Sequence, residues 1–208
     1  MSITRHRGFK HVLAGVALSA LTAGFVAFTA APAHAADEPT LIEAPNFDNT
    51  THVVERWIWG EEVGDENHDR RWQKALDDPS WSRDDVELVT YENYGRRNQR
   101  WHFTLRDGSY QLQNAFSGKC VTATPAGPVY QASCDGGRPD QRWTIKVISH
   151  GSFTTNEHQF VNVSTGKALS QFGHPSTKKS FDPTADFKKV FQSNPDINDK
   201  YQFWQINS

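Results

Sequence analysis

Cysteine is nearly absent from this chain: two residues among 208, Cys120 and Cys134. That excludes an all-cysteine metal cluster, and it excludes a small scaffold held together by many disulfides. An excess of positive charge is missing too, since 22 Lys and Arg face 24 Asp and Glu for a net charge of -2. A nucleic-acid partner, which needs a basic surface for the phosphate backbone, is therefore not expected. Beyond residue 31 no apolar run is long enough to cross a bilayer, for which about 20 residues are needed. The catalytic signatures are also lacking: no Gly-x-Ser-x-Gly, no His-Glu-x-x-His and no glycine-rich phosphate loop. Asp84 and Asp85 make a poor acid pair, because neighbours on a strand point to opposite faces. His150, His158 and His174 have no metal-ligand spacing, and the oxygen-rich residues 64–69 lack the spacing of a calcium loop, so that stretch reads as a solvated acidic turn. These absences predict a protein that is not an enzyme, with no metal and no cofactor. Helical periodicity is missing outside the first residues, apart from a short stretch near 69–75, and the fold class expected is all-β.

What is present begins with a leader. Arg5, Arg7 and Lys10 precede an apolar run over residues 12–31, and Ala33-His34-Ala35 supplies small residues for cleavage. Residues 1–35 read as a secretory signal peptide removed after Ala35, which predicts a secreted protein. In an exported chain the two cysteines are expected to pair as Cys120–Cys134, and closing a loop of that length contributes about 3 kcal/mol. Residues 36–46, Pro-containing and without period, read as a flexible lead-in.

The chain also repeats itself. Gln99-Arg100-Trp101, Gln141-Arg142-Trp143 and Gln202-Phe203-Trp204 share one Gln-x-Trp tripeptide, and apolar residues follow at alternate positions: Phe103 and Leu105, Ile145 and Val147, Ile206. That is the period of a strand with one buried face. The flanks repeat as well, with residues 112–121 matching 160–169 and residues 129–134 matching 190–195. Ala168 and Pro195 stand in the third unit where the second has Cys120 and Cys134. Units of this size cannot bury a face alone, so three must close on one another. The extra length of the third unit falls at residues 173–187. In the first unit Tyr91 is placed near the counterpart of Cys134, with one additional residue before Trp101. The expected domain is residues 47–208, in lobes of about 47–105, 106–149 and 150–208.

The stretch 117–143, with Gly118-Lys119-Cys120, Cys134-Asp135-Gly136-Gly137 and Gln141-Arg142-Trp143, resembles the ricin B-type β-trefoil of R-type lectins. That resemblance implies a threefold β fold and structural roles for Gln99, Trp101, Gln141, Trp143, Gln202 and Trp204. It implies further that a sugar site requires an acidic side chain two residues after the first Cys, an aromatic platform, and an Asn before the Gln-x-Trp. Units two and three depart from the pattern, with Thr122 and Ser170 at the acidic position and Asp140 and Tyr201 at the Asn. Unit one keeps Asn98, but the pattern does not locate its acidic partner.

Arg56-Trp57-Ile58-Trp59-Gly60 followed by Arg71-Trp72 resembles the Trp-rich patch of the A subunit of cytolethal distending toxins. Trp57, Trp59, Trp72 and Asn98 are accordingly the candidate ligand-binding residues. The alternation of Trp57 and Trp59 fits equally a strand face filling the core, while Trp72 and Trp81 lean toward exposure. The function expected is a non-catalytic protein that binds a glycan or glycoconjugate at a cell surface, as the delivery subunit of a toxin in the fuller form of that reading. The alternatives are an assembly subunit that holds a toxin or enzyme partner on a trefoil with vestigial sugar sites, and a protease inhibitor presenting the loop 174–189.

Overall fold

In the computed structural model, residues 38–59, 71–79, 85–151, 153–171 and 188–208 are described. The leader, the acidic turn at 64–69, Trp81, the side chain of Trp59 and most of the third-unit insertion lie outside the described residues. The described chain belongs to one unit, Ala36–Ser208.

A first strand, β1 (Thr40–Glu43), pairs antiparallel with residues 146–149. This corrects the expectation of a flexible lead-in: Ile42 lies opposite Val147, and backbone pairing holds a segment whose composition gave no period. Lobe one comprises β2 (Thr50–Trp59), β3 (Arg71–Asp77), β4 (Val89–Glu92) and β5 (Arg100–Arg106). The short helix considered near 69–75 is therefore a strand from Arg71 onward. Lobe two comprises β6 (Ser109–Asn114), β7 (Cys120–Ala123), β8 (Val129–Ala132) and β9 (Trp143–His150). Lobe three comprises β10 (Phe153–Asn162), β11 (Ala168–Ser170), β12 (Lys188–Lys189), β13 (Phe191–Ser193) and β14 (Phe203–Asn207).

Six strands close on each other. β2 pairs β5, β5 pairs β6, β6 pairs β9, β9 pairs β10, β10 pairs β14, and β14 returns to β2. Closure leaves this ring without an edge. Six of the other strands form three hairpins, β3–β4, β7–β8 and β11–β13, one per lobe, while β1 pairs β9 and β12 pairs β4. Where the hairpins meet, three backbone bonds run in a cycle: Leu88 N–H to Val129 O at 2.9 Å, Val129 N–H to Val190 O at 3.0 Å, and Val190 N–H to Leu88 O at 2.9 Å. All three side chains are fully buried and belong to the single core cluster.

The Gln-x-Trp residues perform the same work in each lobe. The indole N–H of Trp101, Trp143 and Trp204 donates to the carbonyl of Leu76, Val121 and Leu169 at 3.0, 3.2 and 3.0 Å. The preceding glutamine donates to the carbonyl of Glu92, Ser133 or Asn194 and accepts from the N–H of Tyr94, Asp135 or Asp196. A buried amide thus satisfies two main-chain groups that leave the hairpin, while the ring fills the core.

These bonds fix which residues correspond. Tyr94 matches Asp135, so Asn93, not Tyr91, occupies the place of Cys134. The loop from that residue to the Gln is one residue shorter in lobe one, where the sequence alignment had inserted one. Lobe two carries the disulfide, Cys120–Cys134, with Cα atoms 5.0 Å apart. Its reduction is expected to lower stability by about 3 kcal/mol. For a domain of this size that corresponds to a fall in Tm of roughly 6–12 °C, which calorimetry with and without reductant would measure.

Candidate functional site

The correspondence set by the indole bonds also locates the acidic residue that the sequence pattern left open. Leu76 stands where Val121 and Leu169 stand, so the next residue, Asp77, is the counterpart of Thr122 and Ser170. Asp77 is the last residue of β3, two after Ala75, which takes the position of Cys120. The signal was in the sequence: Lys74-Ala75-Leu76 repeats Lys167-Ala168-Leu169.

Asp77 is 2% exposed and Asn98 3% exposed. The Asn98 amide donates to both carboxylate oxygens of Asp77, at 3.1 and 3.2 Å, and to the carbonyl of Asp78 at 3.1 Å. Gln99 Nε2 adds a third hydrogen bond to Asp77 at 2.7 Å. The main chain of Asn98 is itself held, its carbonyl accepting from Asp78 N–H at 3.1 Å and from the Asn114 amide of β6 at 2.9 Å. With its N–H groups turned onto the carboxylate, Asn98 leaves Oδ1 buried and without a hydrogen-bond partner among the described residues. An acceptor in that state costs about 1–3 kcal/mol unless something donates to it.

These groups line a pocket of about 120 Å³ together with Pro79, Tyr91, Tyr94 and Arg96. Tyr91 is half-buried on β4 and Tyr94 is 55% exposed, their ring centroids 6.0 Å apart. Arg96 lies over the outer ring, 4.9 Å from its centroid. The pocket therefore combines a carboxylate, an unsatisfied amide oxygen and two aromatic rings on three elements of one lobe. Burial pushes the Asp77 carboxyl up to about 6, with Gln99 opposing, Asp78 adding to the rise, and Asn98 and Arg96 opposing. Because this pKa is raised, the group's contribution to stability is complete below its ordinary value and is lost as pH rises through about 6.

The equivalent places in the other lobes are occupied by other side chains. Thr122 Oγ accepts from Gln141 at 3.1 Å and donates to Cys120 O at 2.9 Å, and Asp140 is paired with Arg138 at 2.6 Å. In lobe three the guanidinium of Arg56, reaching from β2 of lobe one, lies 4.7 Å from the centroid of the Tyr201 ring.

The four candidate residues are not brought to one place. Asn98 lines the Asp77 pocket. Trp57 is half-buried, outside the core cluster, and lines a different cleft with Glu55 and Gln73. Trp72 is half-buried on β3 opposite Ile58 and lines neither. Trp59 is paired with Arg71 in register. Among the described residues no group of His, Cys, Asp and Glu has a geometry that would hold a metal ion.

Residues 97–169 match the family described as a ricin-type beta-trefoil lectin domain-like family. No curated protein matches the chain. Among solved structures, a designed threefold symmetric protein, ThreeFoil, is 24% identical with a TM-score of 0.55, over 76% of this chain and 98% of that one. The ricin B-like lectin of Macrolepiota procera, solved with lactose, is 16% identical with a TM-score of 0.53, over 79% and 99%. The cytolethal distending toxin of Haemophilus ducreyi is 15% identical with a TM-score of 0.52, over 80% of this chain and 87% of the matched one. The described chain thus has the β-trefoil fold, and residues 97–169 are similar to its ricin-type, lectin-like form.

Proposed function

We propose that the protein is an exported, non-catalytic lectin whose saccharide site is the lobe-one pocket. The observation that carries this reading is the buried Oδ1 of Asn98, unpartnered beside the carboxylate of Asp77 and two tyrosine rings. Adjacent hydroxyls on a sugar ring supply what the site lacks: one donates to Asp77, another to Asn98 Oδ1, and the C–H face of the ring lies on tyrosine. A volume of about 120 Å³ suits one terminal sugar rather than a larger ligand. The ricin-type resemblance supports the same class of ligand, since it asks for an acidic residue, an aromatic and an Asn, and lobe one has Asp77, Tyr91 and Asn98.

A glycan array tests the reading. Retention of a set of glycans sharing one terminal sugar, competed by that sugar in free form, is the expected result; retention of none would overturn it. The ionisation of Asp77 gives a second check. The carboxylate accepts hydroxyl protons when charged, so binding should be full above pH 7 and weaken as the group protonates through about 6. By pH 5 the affinity is expected to fall about tenfold, measured by titration calorimetry across that range.

A further inference from the structure

We infer that a second saccharide site lies at the seam between lobes one and three, separate from the Asp77 pocket. The cleft there has a volume of about 400 Å³ and is lined chiefly by Glu55 and Trp57 of β2, Gln73 of β3, Asn93 after β4, Arg100 of β5 and Asn207 of β14.

Its floor is a charge that no cation among the described residues neutralises directly. Glu55 is fully buried. Its Oε1 accepts from the indole N–H of Trp57 at 3.3 Å and from the Asn207 amide, and its Oε2 accepts from Gln73 at 2.6 Å and from the Asn93 amide. Four neutral donors meet the four lone-pair positions of the carboxylate, so Glu55 has no acceptor capacity left for a ligand. Its effect is on orientation. Each amide must turn its N–H inward, and the indole is held by its nitrogen.

What the turned amides leave outward is then informative. Asn93 Oδ1 is occupied by Gly95 N–H at 2.8 Å, and Asn207 Oδ1 by the Asn156 amide at 3.0 Å. Gln73 Oε1 has no hydrogen-bond partner among the described residues. Arg100 uses only Nε, on Gly95 O at 3.0 Å, and its two terminal nitrogens have no partner among the described residues. One face of Trp57 is approached by Arg71, 5.9 Å from the ring centroid.

The cleft therefore offers an acceptor, a forked donor and a half-buried indole, with the charge of Arg100 offset by that of Glu55. That set suits a neutral polyhydroxylated ligand, whose hydroxyls both donate and accept and whose ring carries a C–H face. The segment 93–96 is the wall between the two sites, since Asn93 and Gly95 line this cleft while Tyr94 and Arg96 line the other.

The test uses ¹⁵N-labelled protein titrated with lactose and with a panel of free hexoses and N-acetylhexosamines. The Trp57 indole resonance, assigned by its loss in Trp57→Phe, reports this cleft, and the Asn98 side-chain amide reports the other. The expected result is a saturable shift of the Trp57 indole that persists in Asn98→Ala and is lost in Arg100→Gln. No shift with any sugar would overturn the inference, as would a shift that disappears in Asn98→Ala, because it would then be transmitted from the Asp77 pocket. A shift that survives in Arg100→Gln would overturn the role given to the guanidinium. The lobe-one reading is judged separately by the Asn98 amide, so either site can fail while the other stands.

Discussion

Asn98→Ala is expected to weaken saccharide binding by about 30- to 100-fold. The substitution removes the acceptor that a ligand hydroxyl would reach, and it removes the amide that holds both oxygens of Asp77 in place. A 30- to 100-fold loss is about 2.0–2.7 kcal/mol, which lies within the about 1.5–3 kcal/mol that one hydrogen bond to a charged group contributes. The folded state loses something as well, because the Asp78 carbonyl and Asp77 each forfeit a buried donor. A cost of about 1–3 kcal/mol follows, within what a domain of this kind tolerates. The control is Asp140→Ala, at the matching position of lobe two. There Thr122 replaces the acid and is engaged with Gln141, so binding should be unchanged. Calorimetric titration of both variants with the best array glycan decides the matter; equal affinities for Asn98→Ala and the unaltered protein would move the site elsewhere.

Trp101→Ala is expected to remove about 4–6 kcal/mol of the domain's stability. The indole is fully buried and its N–H is bonded to Leu76 O, so truncation opens a large cavity and strands a carbonyl. Aromatic-to-alanine changes in a core cost about 3–5 kcal/mol, to which the unsatisfied carbonyl adds about 1 kcal/mol or more. Total stabilities run only to about 5–15 kcal/mol. The fall in Tm is expected at roughly 10–20 °C, followed by circular dichroism. Trp143→Ala and Trp204→Ala should match it, since those rings make the same bond to Val121 and Leu169. Trp57→Ala, outside the core, should cost much less; a loss as large as that of Trp101→Ala would place Trp57 in the core after all.

The threefold frame was legible because its signal lies in residues that cannot vary freely. Gln99, Gln141 and Gln202 each satisfy two main-chain groups, and each following Trp closes the core, so the tripeptide recurs wherever a lobe ends. Asp77 was not found because the connections around it differ in length between lobes, and counting back from the Gln-x-Trp loses register across them. Only the short identity between Lys74-Ala75-Leu76 and Lys167-Ala168-Leu169 survives as a marker. β2 misleads for another reason. By residue type alone Glu55 and Arg56 would face water, yet Glu55 is fully buried and Arg56 is 4% exposed. The carboxylate is tolerated there because amides from three other strands or loops reach it, which no local pattern can show. Trp57 could therefore be read as core or as patch; it stands half-buried beside a buried charge at a cleft.

The cycle of bonds through Leu88, Val129 and Val190 bears on how such a protein can change over generations. Each lobe lends a carbonyl to one neighbour and takes one from the other, so the covalent cross-link of lobe two restrains lobe one through Val129 without lying in it. The lobe with the open pocket is not the one that carries the cross-link. Sequence drift in it is sheltered by order kept elsewhere, and a new specificity can arise there without a new scaffold.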